Sequence, residues 1–349
     1  MVPFYLGENM TKMLSPFANF CAWLLAACLI AGCSEAPKNI HLSGQTMGTT
    51  YNIKFVAKSS VDAEKLHNEV DASLVEINKL MSTYDPDSEL SHFNQWHSTK
   101  PFKLSMQTLK VLTEAKRLGA LSDGVLDVTV GPLVNLWGFG PDAKPDKTPS
   151  AQTIAAVKAK TGLDKLILLD DGARKTDPDL YVDLSTIAKG YGVDVVAELL
   201  EQYNLVNYLV EIGGEMRIAG HKAKGDKWRI AIEKPNSDER SVQEIISIGS
   251  NAIATSGDYR NYFEEQGVRY SHLIDPRTGS PISHNLVAVT VVHSSSMTAD
   301  GLATALIVMG KDAALALAEQ NALAVLLITK ENGEFKEYTT AQFRPYINH

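Results

Sequence analysis

The apolar residues of this 349-residue chain recur with two different periods, and the two kinds of segment do not alternate strictly. Alternating apolar and polar residues are typical of a half-buried strand, whereas spacings of three and four residues are typical of an amphipathic helix. The predicted strands cover residues 51–56, 166–169, 207–212, 228–232, 244–248, 287–292 and 322–328. The predicted helices cover residues 61–81, 107–120, 151–161, 186–203, 299–309 and 311–320. This irregular order favours an α+β fold over a doubly wound parallel sheet.

The N-terminus carries an apolar segment that ends at a cysteine. Residues 24–32 have the length of the hydrophobic region of a signal peptide, and Lys12 supplies the positive charge before it. The Ile-Ala-Gly that precedes Cys33 resembles a bacterial lipobox. We therefore predict a lipoprotein signal peptide over residues 1–32, then a lipidated Cys33 and a tether over residues 33–43. A membrane-anchor helix is the alternative, but the apolar run is short for a bilayer span.

Cysteine and charge usage exclude several classes of protein. All three cysteines (Cys21, Cys28 and Cys33) lie in the N-terminal segment, so the remaining chain has no disulfide, zinc–thiolate site or cysteine nucleophile. The formal net charge is −8 and no basic cluster is present, which argues against nucleic acid as a partner. With 44% hydrophobic residues, the chain has enough apolar side chains for a packed core.

Two segments near the C-terminus carry side chains suited to phosphate chemistry. Residues 271–279 combine an imidazole, a carboxylate and a guanidinium around a Pro/Gly turn. Residues 297–305 place Asp300 and Thr304 four positions apart, on one face of the predicted helix. A carboxylate and a hydroxyl so placed are hard oxygen ligands, which suit Mg²⁺ and a bound phosphate ester. His272 is a candidate base, although a single histidine is more often an ordinary surface or core residue.

Glycine-containing segments indicate places where the main chain approaches a ligand closely. Four of them adjoin apolar segments: Gly131-Pro132, Gly190-Tyr191-Gly192, Gly213-Gly214 and Ser256-Gly257-Asp258. None has the spacing of a Walker A loop or of a dinucleotide-binding fingerprint. Residues 183–190 lie where a strand meets a helix, and the free N–H groups at a helix start favour a phosphate. Helix capping by Asp183 or Ser185 is the alternative, and Lys189 either adds charge for the ligand or is solvated.

Seven segments resemble the sequence blocks of the ApbE family, the FAD:protein FMN transferases, and follow one another in the family's order. These segments are residues 47–50, 81–90, 127–134, 182–190, 211–215, 271–279 and 297–305. They extend over nearly all of the chain that follows the N-terminal segment. The resemblance therefore implies one ApbE-like domain over residues 44–349, an α+β fold with mixed sheets and packed helices.

The resemblance also implies an activity and a set of site residues. The family binds FAD and Mg²⁺ and attaches FMN through a phosphoester to a Thr or Ser of another protein, with release of AMP. The implied FAD contacts are Met47, Tyr84, Val125, Leu126, Asp127, Asp183, Lys189 and Ile274. The implied Mg²⁺ ligands are Thr186, through its carbonyl, Asp300 and Thr304. His272 is the candidate general base that takes the proton of the acceptor hydroxyl.

The family's acceptors are subunits of membrane redox complexes of the sodium-pumping NADH:quinone reductase and Rnf type. The resemblance implies the periplasmic side of the bacterial inner membrane, while Ser34 after the lipidated cysteine also permits the outer membrane. Two other functions fit the same residues: an Mg²⁺-dependent FAD pyrophosphatase giving FMN and AMP, and a non-catalytic flavin-binding lipoprotein. Stacking of Tyr84 on intact FAD favours transfer or storage over hydrolysis.

Overall fold

The computed structural model describes residues 36–58, 61–140, 148–235, 241–258, 262–265 and 268–347. Its α-helices are α1 (Ala63–Met81), α2 (Glu89–Gln95), α3 (Met106–Leu121), α4 (Gly131–Leu136), α5 (Ala151–Lys158), α6 (Ala188–Gln202), α7 (Ser296–Met309) and α8 (Lys311–Gln320). Its strands are β1 (Lys38–Thr46), β2 (Thr49–Ala57), β3 (Phe102–Lys103), β4 (Leu166–Leu169), β5 (Gly172–Lys175), β6 (Tyr208–Ile212), β7 (Glu215–Ala219), β8 (Ile230–Glu233), β9 (Val242–Ile246), β10 (Ala252–Gly257), β11 (Tyr262–Glu265), β12 (Val268–Ser271), β13 (Ile274–Asp275), β14 (Ser280–Pro281), β15 (Leu286–His293), β16 (Ala324–Glu331) and β17 (Glu334–Thr339).

An eight-stranded sheet forms the centre of the molecule, in the order β1-β2-β6-β7-β10-β15-β16-β17. Each neighbouring pair in this sheet is antiparallel, and so are the pairs of the four small sheets. The α+β class is therefore confirmed, and the described part of the chain builds purely antiparallel sheets where mixed sheets were expected.

The central sheet buries side chains on both of its faces. Successive residues of a strand point to opposite faces, so Ala254 of β10 packs into the helical core and Ile253 packs into a second core on the other face. Helices α6 and α7 pack on the first face, against β6, β7, β10 and β15. The small sheet β8–β9 and C-terminal residues such as Phe343 cover the second face. Burial on both faces explains why several strands read as continuous apolar runs.

The longer predicted elements agree with the structure. The helices predicted at 61–81, 107–120 and 311–320 correspond to α1, α3 and α8 to within two residues at each end. The strand predicted at 244–248 is β9, displaced towards the N-terminus by two residues. These elements have a strong apolar period, which is the pattern that sequence reading detects best.

Several short elements differ from the predictions. Residues 38–43, assigned to the tether, belong to β1, whose nine residues all pair with β2, so the folded domain begins before residue 44. Gly131-Pro132 opens α4 rather than a turn, since proline is well suited to the first helical positions. Gly190-Tyr191-Gly192 lies within α6, which begins at Ala188 and not at residue 186. Only Gly213-Gly214 is a turn between strands, with φ of 59° and 108°.

The signal peptide, the lipobox and Cys33 lie outside the described residues. Within the described ranges, no helix is both long and apolar enough to cross a membrane.

Candidate active site

Helices α6 and α7 approach each other closely at their N-terminal ends. A Cβ atom on Gly190 would lie 2.3 Å from the carbonyl oxygen of Ser296 and 2.8 Å from Cβ of Asp300, so only glycine fits. The N–H of Gly190 donates to Oδ2 of Asp300 at 3.0 Å. This glycine therefore serves helix packing, where sequence reading expected approach to a ligand, and its N–H fixes the Asp300 carboxylate.

Asp194 of α6 holds the start of α7. Its carboxylate accepts hydrogen bonds from the main-chain N–H groups of Ser296 and Met297, both at 3.0 Å, and from the Ser295 hydroxyl at 2.7 Å. A carboxylate at this position satisfies free N–H groups and favours the helix dipole. Because α7 carries Asp300, Asp194 fixes the position of that side chain as well.

Lys189, Glu215 and Asp300 form a buried cluster of charges. Nζ of Lys189, in the first turn of α6, lies 3.4 Å from Oε1 of Glu215 and 3.7 Å from Oδ1 of Asp300. Burial raises the pKa of Glu215 and of Asp300 above the ordinary carboxyl values, and the ammonium of Lys189 opposes this rise. Burial disfavours the charged lysine, but the two carboxylates outweigh it and raise the pKa of Lys189. Two acids thus face one base, which leaves an excess of negative charge when both are ionised.

Oxygen atoms with unused bonding capacity surround this cluster. Oε2 of Glu215 and Oγ1 of Thr186 are buried and have no hydrogen-bond partner in the described part of the chain. Oγ1 of Thr304 lies 3.3 Å from Oγ of Ser256. A buried polar atom without a partner is costly, so Oε2 of Glu215 and Oγ1 of Thr186 are suited to a bound cation or ligand.

The donor set fits Mg²⁺. The described residues contain no cluster of three or more His, Cys, Asp or Glu side chains suited to a metal. Mg²⁺ does not need such a cluster, because it is commonly held by one or two carboxylates together with water and substrate phosphates. Asp300, the Thr304 hydroxyl and the carbonyl of Thr186 are hard oxygen donors of this kind, and all three residues line one cavity.

His272 lies on the wall of the same cavity, between β12 and β13. Its ring contacts Phe139 edge-on, with 6.3 Å between centroids. The residues that follow build a turn: Asp275 accepts main-chain hydrogen bonds from Thr278 and Gly279 at 3.2 and 2.7 Å. The Asp275 carboxylate also pairs with Arg277 at 2.8 Å. The polar residues after His272 therefore shape the loop that carries it.

Two adjoining cavities accommodate the predicted site residues. The first has a volume of about 650 Å³ and includes Met47 and Tyr84, and the second, of about 380 Å³, includes His272 and Asp300. Tyr84, Asp183, Ser185 and Lys189 line both cavities. Volumes of this size are typical of sites for small molecules and cofactors.

The first cavity presents an aromatic ring and a strained turn. Tyr84 is 71% exposed, a large fraction for an aromatic side chain. Met47 forms the two-residue turn between β1 and β2 with a φ of 48°, a left-handed conformation that is unfavourable for methionine. Such strain is often found at ligand sites. Both side chains are thus available to a planar ligand.

Asp127 and Asp183 use their carboxylates locally. Oδ1 of Asp127 accepts hydrogen bonds from the N–H and hydroxyl of Thr129, at 2.7 and 2.6 Å. Oδ1 of Asp183 accepts from the N–H of Ser185 at 2.9 Å, so it closes a turn before α6 and does not cap the helix itself. Burial raises the pKa of both carboxyl groups. Asp127 lines the second cavity, and Asp183 lines both.

The structure thus brings all twelve predicted site residues to the two cavities. Met47 lines only the first, and Tyr84, Asp183 and Lys189 line both. The others line only the second: Val125, Leu126, Asp127, Thr186, His272, Ile274, Asp300 and Thr304. Sequence reasoning gave no role to Glu215, Ser256 or Asp194. The sequence signal that could identify Glu215 is its position as an acidic residue directly after the Gly-Gly turn that ends a buried strand.

The chain matches a known protein family over most of its length. The sequence profile of the ApbE family matches residues 47–327, well over half of the chain. This chain belongs to the ApbE family. The resemblance predicted from the seven segments is thereby confirmed.

Two similar proteins carry the same name. The FAD:protein FMN transferase of Vibrio cholerae serotype O1 is 56% identical over 330 residues, which cover 93% of this chain and 99% of that protein. The FAD:protein FMN transferase of Haemophilus influenzae is 50% identical, over 90% of this chain and 93% of that protein.

Solved ApbE structures share the fold. The flavin transferase ApbE from Vibrio cholerae superposes with a TM-score of 0.84 at 55% identity, and covers 89% of this chain and 100% of its own. The apo form of the Pseudomonas stutzeri flavinyl transferase ApbE gives a TM-score of 0.83 at 40% identity, covering 90% of this chain and 98% of its own. The ApbE-like α+β architecture is thus confirmed.

Proposed function

We propose that this chain transfers the FMN part of FAD to a Thr or Ser hydroxyl of an acceptor protein, through a phosphoester bond, with Mg²⁺ and with release of AMP. The single observation that carries the proposal is the buried Lys189–Glu215–Asp300 cluster in a cavity that also presents His272. Its relatives at 50% identity and above, which match almost their whole length, are named for the same transfer.

The reaction exchanges one phosphorus–oxygen bond for another. The acceptor oxygen forms a bond to the phosphorus of the FMN half, and the bond from that phosphorus to the bridging oxygen of the pyrophosphate breaks. AMP leaves with the bridging oxygen and its electron pair. His272 accepts the proton of the attacking hydroxyl, because an imidazole can take a proton near neutral pH.

Asp300, Thr304 and the carbonyl of Thr186 would hold Mg²⁺. When bound, the ion supplies positive charge to the pyrophosphate oxygens as the leaving group departs. Lys189 adds a fixed positive charge beside Asp300, at 3.7 Å from Oδ1. Asp194 and Gly190 keep the Asp300 carboxylate in place through α7 and through a direct N–H bond.

Met47 and Tyr84 would pack against the isoalloxazine ring in the first cavity. The exposed face of Tyr84 offers a stacking surface, and such aromatic contacts contribute about 0.5–1.5 kcal/mol beyond simple burial. Val125, Leu126 and Ile274 give the second cavity an apolar wall against which the rest of the cofactor would lie. A site that binds the whole of FAD favours transfer or storage over hydrolysis.

Product analysis separates the proposed function from its two rivals. The full chain is incubated with FAD, Mg²⁺ and the purified flavin-carrying subunit of a sodium-pumping NADH:quinone reductase, and masses are measured. We expect an FMN adduct on the acceptor and AMP in equal amounts. Free FMN without adduct would indicate a pyrophosphatase, and unchanged FAD would indicate a binding protein.

The role of His272 has its own test. His272→Ala should slow FMN transfer by about 10²–10⁴-fold, the usual contribution of a positioned base. FAD affinity, measured by flavin fluorescence, should change much less. Parallel loss of FAD binding and transfer would make His272 a cofactor contact, and retention of both would return it to an ordinary cavity-wall residue.

We also propose a lipid-anchored location on the periplasmic side of the inner membrane, where the acceptor subunits of sodium-pumping NADH:quinone reductase or Rnf complexes are expected. The support is the apolar segment that ends at Cys33. Cys33→Ser should block lipid attachment and leave the leader uncleaved, as seen by mass and membrane fractionation. Normal cleavage to an unlipidated product would contradict it.

A further inference from the structure

A third cavity lies next to the reaction cavity, on the face of the central sheet that carries β8 and β9. Its volume is about 620 Å³, and its walls include Thr50, Asn52, Glu211, Ala231 and Val242. None of the twelve residues assigned to FAD, Mg²⁺ or proton transfer lines it. A cofactor held by those twelve residues therefore leaves this cavity free.

The third cavity opens towards the reaction cavity at one place. Gly213 and Thr255 line both, whereas no residue is shared between the third cavity and the Met47–Tyr84 cavity. The three cavities therefore follow one another in a row. The Lys189–Glu215–Asp300 cluster lies in the middle one, which is where a hydroxyl from the third cavity would meet a phosphate from the cofactor.

The opening exists because β7 and β10 separate. The two strands pair only through Ala252 with Arg217 and Ile253 with Met216. Continued pairing would place Thr255 opposite Gly214, but the described strands are not paired there. The left-handed conformation of Gly213 and Gly214 turns the chain from β6 into β7 just at this point.

The separated edge of β10 directs main-chain groups into the opening. The carbonyl of Asn251 accepts from Ile218 of β7, while the N–H of Asp258 donates to Val287 of β15. Main-chain groups of successive strand residues point to alternate sides. Thr255, an even number of residues from Asn251, therefore presents its N–H and carbonyl on the β7 side, where none of the described strands pairs with it. This is an edge onto which an extended chain can add.

The other wall of the third cavity is rigid. Oε2 of Glu211 accepts from the Asn52 amide at 2.8 Å, and its Oε1 accepts from the N–H of Gly214 at 2.8 Å. Both carboxylate oxygens are thus occupied, and they hold the Gly-Gly turn against β2. A pre-formed wall lowers the ordering cost of binding a flexible segment.

We infer that the third cavity is the docking cleft for the acceptor protein. The acceptor binds as an extended segment that pairs with the free edge of β10 at Thr255 and delivers its Thr or Ser hydroxyl through the opening beside Gly213. This inference rests on the proposed function, because it requires that the chain transfers FMN to a protein. It adds where that protein binds and in which conformation.

A tryptophan substitution that fills part of the cleft tests the inference. Ala231 is an exposed residue of β8 on the cleft wall, and Val242 of β9 is 56% exposed there. Ala231→Trp should raise the KM for the quinone-reductase subunit by at least about tenfold, the effect of losing one well-packed interface contact. The Kd for FAD should stay within about twofold, because the cofactor residues lie in the other cavities.

Matched variants separate obstruction from misfolding. Val206→Trp adds the same ring at an exposed position before β6, at the end of that strand remote from Gly213, and should leave KM unchanged. If Ala231→Trp melts at a lower temperature than the wild type, Val242→Trp is used in its place, because it puts the ring on the neighbouring strand of the cleft wall.

Main-chain pairing has a separate test at Thr255. Thr255→Pro removes an N–H that the β15 ladder does not use and should raise the acceptor KM, whereas Thr255→Val keeps the N–H and should raise the KM much less.

The outcomes distinguish the inference from the function beneath it. If the wild type attaches no FMN to the subunit, the proposed function fails and the docking cleft fails with it. If the wild type transfers FMN, and Ala231→Trp and Val242→Trp both leave the acceptor KM unchanged, only the docking cleft is wrong. Loss of FAD affinity in step with the rise in KM would also overturn it, since the cleft would then belong to the cofactor.

Discussion

Lys175 and Lys189 show how differently this fold treats the same side chain. Lys175, at the end of β5, is fully buried, donates to the carbonyl of Asn94 at 3.0 Å and lies 5.0 Å from the centroid of Phe93. Burial lowers the pKa of Lys175 to about 8. The side chain of Lys189 is 29% exposed, and the carboxylates of Asp300 and Glu215 raise its pKa instead.

The difference separates a structural charge from a functional one. At Lys175, neutral carbonyls and an aromatic face satisfy one ammonium, and nothing further is required of the site. At Lys189, two carboxylates face one ammonium, and Oε2 of Glu215 has no partner in the described part of the chain. A buried cluster that carries surplus negative charge once both carboxyl groups ionise is unfavourable unless a cation completes it. We therefore propose that the Lys189 region holds a bound ion, whereas the Lys175 region serves packing.

The largest expected effect comes from Asp300→Asn. FMN transfer should fall by about 10³–10⁴-fold, because a bound metal supplies several kcal/mol of transition-state stabilisation. The fold should persist, since Lys189 keeps Glu215 as a partner. Transfer rates are read from flavin fluorescence on denatured acceptor. Asp312→Asn, at an exposed carboxylate of α8, is the control. Equal transfer rates in Asp300→Asn and Asp312→Asn would contradict the functional role given to the Lys189 region.

Lys189→Met should reveal the surplus charge directly. Without the ammonium, Glu215 and Asp300 are buried and uncompensated, so the free energy of unfolding in a chelator should fall by about 3–5 kcal/mol. Added Mg²⁺ should restore part of it, because the ion replaces the missing charge. Chemical denaturation with and without Mg²⁺ measures this. Lys175→Met should show no such dependence on Mg²⁺, and equal rescue of both variants would contradict the comparison.

Lys175 should make the free energy of unfolding depend on pH. Its folded pKa of about 8 lies below the ordinary value of 10.5, so between these values the unfolded chain binds more protons and stability rises with pH. Relative to Lys175→Met, the wild type should gain up to about 3 kcal/mol over that interval. Denaturation at pH 7.5, 9 and 10.5 tests the slope, while FMN transfer at neutral pH should change by less than about twofold. A flat difference would show that Lys175 stays charged throughout.

The sequence predicts the long elements of the fold and misses the short ones for a physical reason. α1 and α3 have apolar faces several turns long, whereas β1 begins with the polar residues of an edge strand and so resembles a tether. The seven-residue α2 is too short to show a period. Gly190 reads as a flexible turn because nothing local reveals that α7 passes within contact distance of it.

The same distinction applies to the site. Asp300 and Thr304 could be paired from sequence, because their four-residue spacing on a helix is local. Glu215 could not, since it reaches Lys189 only through the turn from β6 to β7. Asp194 acts on α7 from α6, a hundred residues away along the chain. Local chemistry is readable in a sequence, whereas the partner of each group depends on the packing of distant elements.

The binding of a divalent cation at the Lys189–Glu215–Asp300 cluster tests the account most directly. Mg²⁺ is titrated calorimetrically into the full chain with FAD present, for the wild type, Asp300→Asn and Asp312→Asn. We expect one site in the wild type and in Asp312→Asn, and an affinity at least about tenfold weaker in Asp300→Asn, because Mg²⁺ relies on its few anionic ligands. Equal Mg²⁺ affinity in all three proteins would contradict the assignment of this cluster as the metal centre.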